Sequence, residues 1–411
     1  MNHMAKTILR RLYYGTKILC KFALISPILL FMVYFSYKVD RSGLFQGALG
    51  PRTVVDLMLS GHDVTNFEQM DERSVVSLYA QDVPEDECPS VIGIGSSRVL
   101  QFNREVIGTD SYFSMGVTGA DVRDNMTSYY VMVRAGKAPD VLVWSVDPWV
   151  LYGSEKAFDS RADSELYNEF LTKVLGVETD YEEPDKVELW KALADPAYFQ
   201  GNMDYYMAIR SGAAVTDDEG NEIPFKAVTG DVYDNDASIK RSDGSVLYSK
   251  EFREQNQDQI LFNAMSACNT FNSVHMEGFT ELSAKQEQAF DAFIRYAQSN
   301  GTTVILVLCP WHPYLYDFLL WQEDEHQGFL QVENWIRQYA HDNQVPLYGS
   351  YDPLQLGMEE MDFFDGLHCK DIGLKKFFPG VPAVLQQIES GSVPDALEIT
   401  PRTTAAERCP W

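Results

Sequence analysis

The sequence predicts an α/β protein built on a parallel sheet, and three observations carry that expectation. Short, β-branched apolar runs recur at 90–95 (SVIGIG), 140–146 (DVLVWSV) and 302–308 (TTVILVL). Segments of helical spacing stand between and after them, as at 121–136 and 281–299. The first two of these runs are apolar on both faces, which suits strands covered by helices on each side, as a parallel sheet requires.

Taken in order, residues 1–17 are a basic N-terminus and 18–37 an apolar stretch expected to be a transmembrane signal anchor. The first 41 residues carry Lys6, Arg10, Arg11, Lys17, Lys21, Lys38 and Arg41 against the one acid Asp40, a balance of +6. The uncharged run 22–37 reaches 20 residues from Ile18 if Lys21 snorkels to the interface. A helix of that length spans roughly 30 Å. Most of the cations precede the run, so the positive-inside rule puts the N-terminus in the cytoplasm and the rest outside the cell membrane. A cleavable signal peptide is the competing reading, since Ala48-Leu49-Gly50 is small-x-small, but that site lies far beyond the apolar run. Residues 38–88 read as a linker and lead-in helix, and 89–390 as the α/β domain.

Within that domain the strand at 90–95 leads into a helical pattern at 99–108, then a strand at 111–117 (SYFSMGV). The helix 121–136 follows with Asp121 as its cap, then the strand 140–146. From 152 to about 274 the periodicity weakens into acidic, aromatic-rich segments, the mark of an inserted segment. Alternation resumes with the helix 281–299, the strand 302–308, the helix 331–343 and a short strand 345–348. A polar loop then runs into the last helical segment, and 391–411 reads as a loose tail.

A total charge of −27 leaves −33 for the 370 residues after Arg41. Phosphate backbones need clustered Lys and Arg, so nucleic acid is excluded as a partner. Of six cysteines, Cys20 falls in the apolar stretch. The others (Cys88, Cys268, Cys309, Cys369, Cys409) fit neither a zinc spacing nor a dense disulfide scaffold. One disulfide, for instance Cys88 with Cys409, is compatible with an exported body. The histidines show no H-x-x-x-H or H-E-x-x-H spacing, so no metal is expected.

Ser97 lies just past the first strand in Gly95-Ser96-Ser97-Arg98, where an open α/β sheet presents groups to a ligand crevice. A serine there suits a nucleophile whose own N–H serves an oxyanion. The plain alternative is a strand-to-helix cap. Asp365 and His368 place an acid and an imidazole three apart, a base and its orienting partner in one reading and a surface loop in the other.

With the serine and the Asp/His pair at the two ends of the alternating region, the sequence resembles the SGNH (GDSL-like) hydrolase superfamily. The Gly95-Ser96-Ser97 form and the D-G-x-H-x-x-x-x-G string from Asp365 to Gly373 are most similar to its membrane-anchored branch, which includes the D-alanine transfer protein of teichoic acid modification and the alginate O-acetylation proteins. The resemblance covers about 90–150 and 280–390 and omits the insertion. It implies a flavodoxin-like sheet, with Ser97 as nucleophile, His368 as base, Asp365 as its orienting acid, and the amides of Ser97 and Gly119 as oxyanion donors. It implies no cofactor. It also implies acyltransferase or esterase chemistry on O-acyl groups of a cell-surface polysaccharide, with a membrane-bound O-acyltransferase as partner. The rivals are a carbohydrate O-acetylesterase and an inactive glycan-binding or assembly protein. One block departs from the family pattern: Asp147, in Ser145-Val146-Asp147-Pro148, stands where the hydrolases usually carry an oxyanion-donating Asn. An ionised carboxylate only accepts hydrogen bonds. Arg98, Asp147, Trp311 and His312 are the remaining candidates for substrate contacts, Arg98 toward an anion and Trp311 toward a sugar face.

Overall fold

Five strands, β1 (Val91–Ile94), β2 (Tyr112–Ser114), β3 (Val141–Ser145), β4 (Thr303–Leu308) and β5 (Leu347–Gly349), pair in parallel throughout in the computed structural model. Their order, β2-β1-β3-β4-β5, is that of a flavodoxin-like sheet. The order reverses between β1 and β3, so the crevice expected at such a switch point lies beyond the carboxyl ends of those two strands.

Burial on both faces explains why these strands are apolar throughout. Successive side chains alternate across the pleat, so Ile92, Ile94, Leu142, Trp144, Val304 and Leu306 enter one core. Val91, Val143, Ile305 and Val307 enter the other. The first core is closed by the helices Val122–Arg134, Ala284–Ser299 and Gln327–Asn343; Trp144 lies fully buried with its ring 4.7 Å from that of Phe290. The second is closed by the short helices Asp371–Phe377 and Val381–Ser390, through Leu374, Val381 and Val384. Each buried side chain of this size contributes roughly 1.5–3 kcal/mol. Asp121 caps the helix Val122–Arg134 in a reciprocal capping box with Asp124, as its position in the sequence leads one to expect.

The structure describes all residues except 1–2, 41–44, 46–48, 66–71, 155–156, 159–160, 180–189, 192, 212–214, 217–221, 224–225, 271–275, 277, 323–326 and 404–411. The chain divides into two units, Met1–Thr53 with Glu182–Pro224, and Val54–Tyr181 with Phe225–Trp411. In the first, the helix His3–Val39 packs on the helix Pro196–Ser211 through Phe31, Phe35, Phe199 and Tyr206. This helix contains the segment expected to be a transmembrane anchor, yet among the described residues no helix is long and apolar enough to cross a membrane.

Four other expectations change. The segment expected to be a linker and lead-in helix carries two helices, Leu49–Leu59 and Glu72–Asp82, whose Val54, Val55, Val75, Val76 and Leu78 are buried in the first core, so the chain from Val54 belongs to the domain rather than to a spacer. The supposed insertion is not one piece: 182–224 falls in the first unit, while 225–270 packs on the sheet domain. There the Ser114 amide at the edge of β2 donates to the Asp243 carbonyl, so a turn of the insertion covers that edge. The tail is held as far as Arg402, which forms ion pairs with Asp317 and Asp352, while Arg337 donates to the Ala396 carbonyl; 404–411 lie outside the described residues. The region after Ser97 is a 3-10 turn (Val99–Gln101) and a one-turn helix (Arg104–Ile107), not one continuous helix. The Cys88 to Cys409 pairing falls on Cys409, which lies outside the described residues.

Candidate active site

Every candidate residue leaves the carboxyl side of the sheet. Ser97 follows β1, Gly119 follows β2, Asp147 follows β3, Trp311 and His312 follow β4, and the loop 365–368 precedes the helix Asp371–Phe377. The turn after β1 needs Gly95, which has φ +148°; a Cβ there would lie 2.8 Å from the Ser145 carbonyl oxygen. Ser97 is half-buried at the tip of this turn, and its amide donates to no group among the described residues.

The three residues expected to act together form one hydrogen-bonded chain. The His368 Nε2 lies 2.8 Å from the Ser97 Oγ, and its Nδ1 lies 2.9 and 3.1 Å from the two Asp365 oxygens. Asp365 also accepts from the amides of Leu367 (2.7 Å) and His368 (2.9 Å). Burial alone raises a carboxyl, but the His368 charge and these hydrogen bonds outweigh it and hold Asp365 below its ordinary value. An ionised Asp365 only accepts, so Nδ1 is the donor and Nε2 of the neutral ring is left to accept the Ser97 hydroxyl proton.

Two of the partners that shape this loop come from the insertion, and the sequence gives no local sign of them. The Tyr248 ring meets the His368 ring edge-on at 5.8 Å and packs against Phe364 at 5.1 Å. The helix Gln257–Thr270 lies so close to the loop that a Cβ on Gly366 would stand 2.7 Å from that of Ala267. The Thr118-Gly119 turn is likewise pinned from afar: the Thr118 amide donates to Glu72, which pairs with Lys240 at 3.2 Å, both acid and base buried. Gly119 itself has φ +70°, a conformation suited to glycine.

The substrate-contact candidates turn inward instead. Arg98 is 3% exposed; it pairs with the wholly buried Asp147 at 3.2 Å, donates to the Cys309 and Pro310 carbonyls, and lies over the Trp311 ring at 4.4 Å. Asp147 also accepts from the Ser96 amide at 3.2 Å. Burial pushes the Asp147 carboxyl up, against the pull of Arg98 and the Ser96 contacts. The pair therefore clamps the turn on both sides of Ser97, and Arg98 is not available to an anion. Trp311, also fully buried, offers no face to a sugar. Cys369, next to His368, is buried and its thiol is pushed well up, so it carries little thiolate.

His312 turns inward as well. It is fully buried, and its Nδ1 accepts from the Tyr314 amide at 3.1 Å as the cap of the helix Pro313–Trp321. Burial lowers it to about 4, although Glu360 and Asp365 pull the other way. The sign follows from linkage: the unfolded chain takes up this proton near pH 6.5 and the folded chain only near 4, so stability is complete above 6.5 and falls as the pH drops to 4. We expect a loss of about 3 kcal/mol over that interval from this residue. Urea unfolding at a series of pH values, with His312→Gln beside wild type, measures it; equal slopes in the two proteins would discard the assignment.

No protein-family model matches the chain, and no curated protein matches it.

Proposed function

We propose that this chain is a serine acyltransferase or esterase of the SGNH type, acting on O-acyl groups of a cell-surface or exported polysaccharide and attached to the membrane by its N-terminal helix. One observation carries the reading: the unbroken hydrogen-bond chain from Asp365 through His368 to Ser97, lying at the carboxyl ends of parallel strands beside a switch point. In the proposed reaction the Ser97 Oγ attacks the acyl carbonyl carbon while His368 Nε2 takes its proton. The tetrahedral oxyanion meets the Ser97 and Gly119 amides. Collapse breaks the bond to the leaving alcohol, which receives the proton from His368, and an acyl-serine remains. A sugar hydroxyl, deprotonated by His368, then attacks the acyl-serine, and the Ser97 hydroxyl is restored; water in its place gives hydrolysis.

Asp147 argues against rapid general esterase turnover. The carboxylate that replaces the usual third donor is turned into the core toward Arg98, so two amides rather than three donors serve the oxyanion. The loss of one such donor costs about 10²–10³ in rate in well-studied hydrolases. Membrane attachment is supported by the cationic lead-in and by Leu24, Ile28, Leu30 and Phe31, all more than half exposed on the helix His3–Val39. A multi-span O-acyltransferase in the same membrane is the proposed acyl donor.

The test is intact-mass analysis of the full chain after exposure to a fluorophosphonate and, separately, to an activated acetyl ester. We expect one adduct, on Ser97, that forms far more slowly in His368→Ala. No adduct under either condition would remove the nucleophile and leave a glycan-binding protein.

A further inference from the structure

Beside the candidate triad the insertion forms an open groove of about 620 Å³, within the range of small-ligand clefts. Its wall reaches the triad through ring contacts. Phe252 lines the groove and lies 5.0 Å from Tyr248, whose ring abuts His368, and it stacks on Phe364 at 6.0 Å. At the other end Phe262 also lines it, 70% exposed, an unusual position for a large apolar ring.

The remaining lining is rich in amides, and local bonds fix their direction. Asn256 Oδ1 accepts from the Gln259 amide at 3.0 Å and Gln259 Oε1 from the Asn256 amide at 2.9 Å, so each side chain keeps its NH₂ group for a ligand. Asn263 donates to Gln255 Oε1 at 2.7 Å, which leaves the Asn263 oxygen as an acceptor and the Gln255 NH₂ as a donor. Rings with apolar faces beside fixed donors and acceptors match the two sides of a sugar ring, its C–H face and its hydroxyl rim.

Charge narrows the ligand further. Glu251 and Asp258 line the groove, and among the described residues no Lys or Arg does. Two cations adjacent in sequence to the lining residues are committed elsewhere: Lys250 pairs with Asp234 at 2.7 Å, and Arg253 donates to the Tyr248 and Tyr233 carbonyls. Lys370, over the Phe364 ring at 5.7 Å, is not among the lining residues, so a polyanionic glycan in the groove would meet first the two carboxylates.

We infer that the groove between Phe252 and Phe262 is the glycan subsite of this protein and that it takes a neutral or amino-sugar chain rather than a polyanion. The inference rests on the acyl-serine reading for what is done to the glycan, but not for the binding itself.

Isothermal titration calorimetry tests it on the full chain in detergent with three pentasaccharides as probes: N-acetylated chitopentaose, its de-N-acetylated form and a pentagalacturonate. The first two should bind at least tenfold more tightly than the third. Phe262→Ala should weaken them about three- to tenfold, since one stacked ring is lost; its unfolding midpoint serves as the control for folding. Tightest binding of the galacturonate, equal binding by Phe262→Ala, or no binding of any probe would overturn the subsite. The two proposals fail separately: adduct on Ser97 without oligosaccharide binding removes the groove alone, and binding without adduct removes the acyl chemistry alone.

Discussion

Ser97→Ala should lower acyl transfer from an activated acetyl ester at least about a thousandfold while shifting the free energy of unfolding by no more than about 0.5 kcal/mol. The asymmetry follows from the geometry. The hydroxyl is on a half-buried residue at the tip of a turn and its one hydrogen bond among the described residues is with His368 Nε2, so its removal leaves no polar group stranded in the core. Asp365→Asn should cost about 10³–10⁴, because an amide facing Nδ1 no longer requires that nitrogen to be the donor, and the wrong tautomer cannot accept the Ser97 proton. The double variant should be little worse than Ser97→Ala, since residues acting as one unit are not additive. Single-turnover release of the alcohol measures all three. Additive losses would mean that the serine and the acid do not work through the same histidine.

The second large effect falls on stability. Arg98→Met should cost about 3–5 kcal/mol in urea unfolding, because it leaves the Asp147 carboxylate buried without its counter-charge. The guanidinium also satisfies the Cys309 and Pro310 carbonyls, so β1 and β4 lose a shared tie. Arg98→Met with Asp147→Leu should recover much of the loss, since removing both charges removes the desolvation cost along with the attraction. A loss below about 1 kcal/mol for the single variant would show that the pair does not hold the turn. Activity should fall in the double variant even where stability returns. The Ser96 amide donates to Asp147 and the Arg98 guanidinium pairs with it, and with both side chains replaced the turn presenting Ser97 loses both of these anchors.

The two predictions separate residues that are adjacent in sequence. Ser97 and Arg98 share one turn, yet the first faces the crevice and the second the core. Asp365 and Cys369 likewise share one loop, the acid held in the charged form and the thiol held out of it. The chemistry of each position is set by which side of the turn it occupies.

The sequence by itself determined the sheet and singled out the trio Ser97, His368 and Asp365 that the structure joins by hydrogen bonds. Strands buried on both faces need unbroken apolar runs, and local composition records that need directly, as at Val91–Ile94 and Val141–Ser145. A serine after the first strand and an acid three residues before a histidine are equally local signals. Only the tertiary structure decided what surrounds them. Arg98, Asp147, Trp311 and His312 have the residue types of a binding site but lie in the core: the turns after β1, β3 and β4 bring the first three together, and His312 is turned in to cap the helix Pro313–Trp321. Tyr248 and Ala267 reach the site loops from the insertion, far in sequence from His368 and Gly366, and Glu72 does so from before the first strand of the sheet. Their positions depend on how the insertion and the lead-in helices pack, and long-range packing of that kind leaves no period or motif in a single chain.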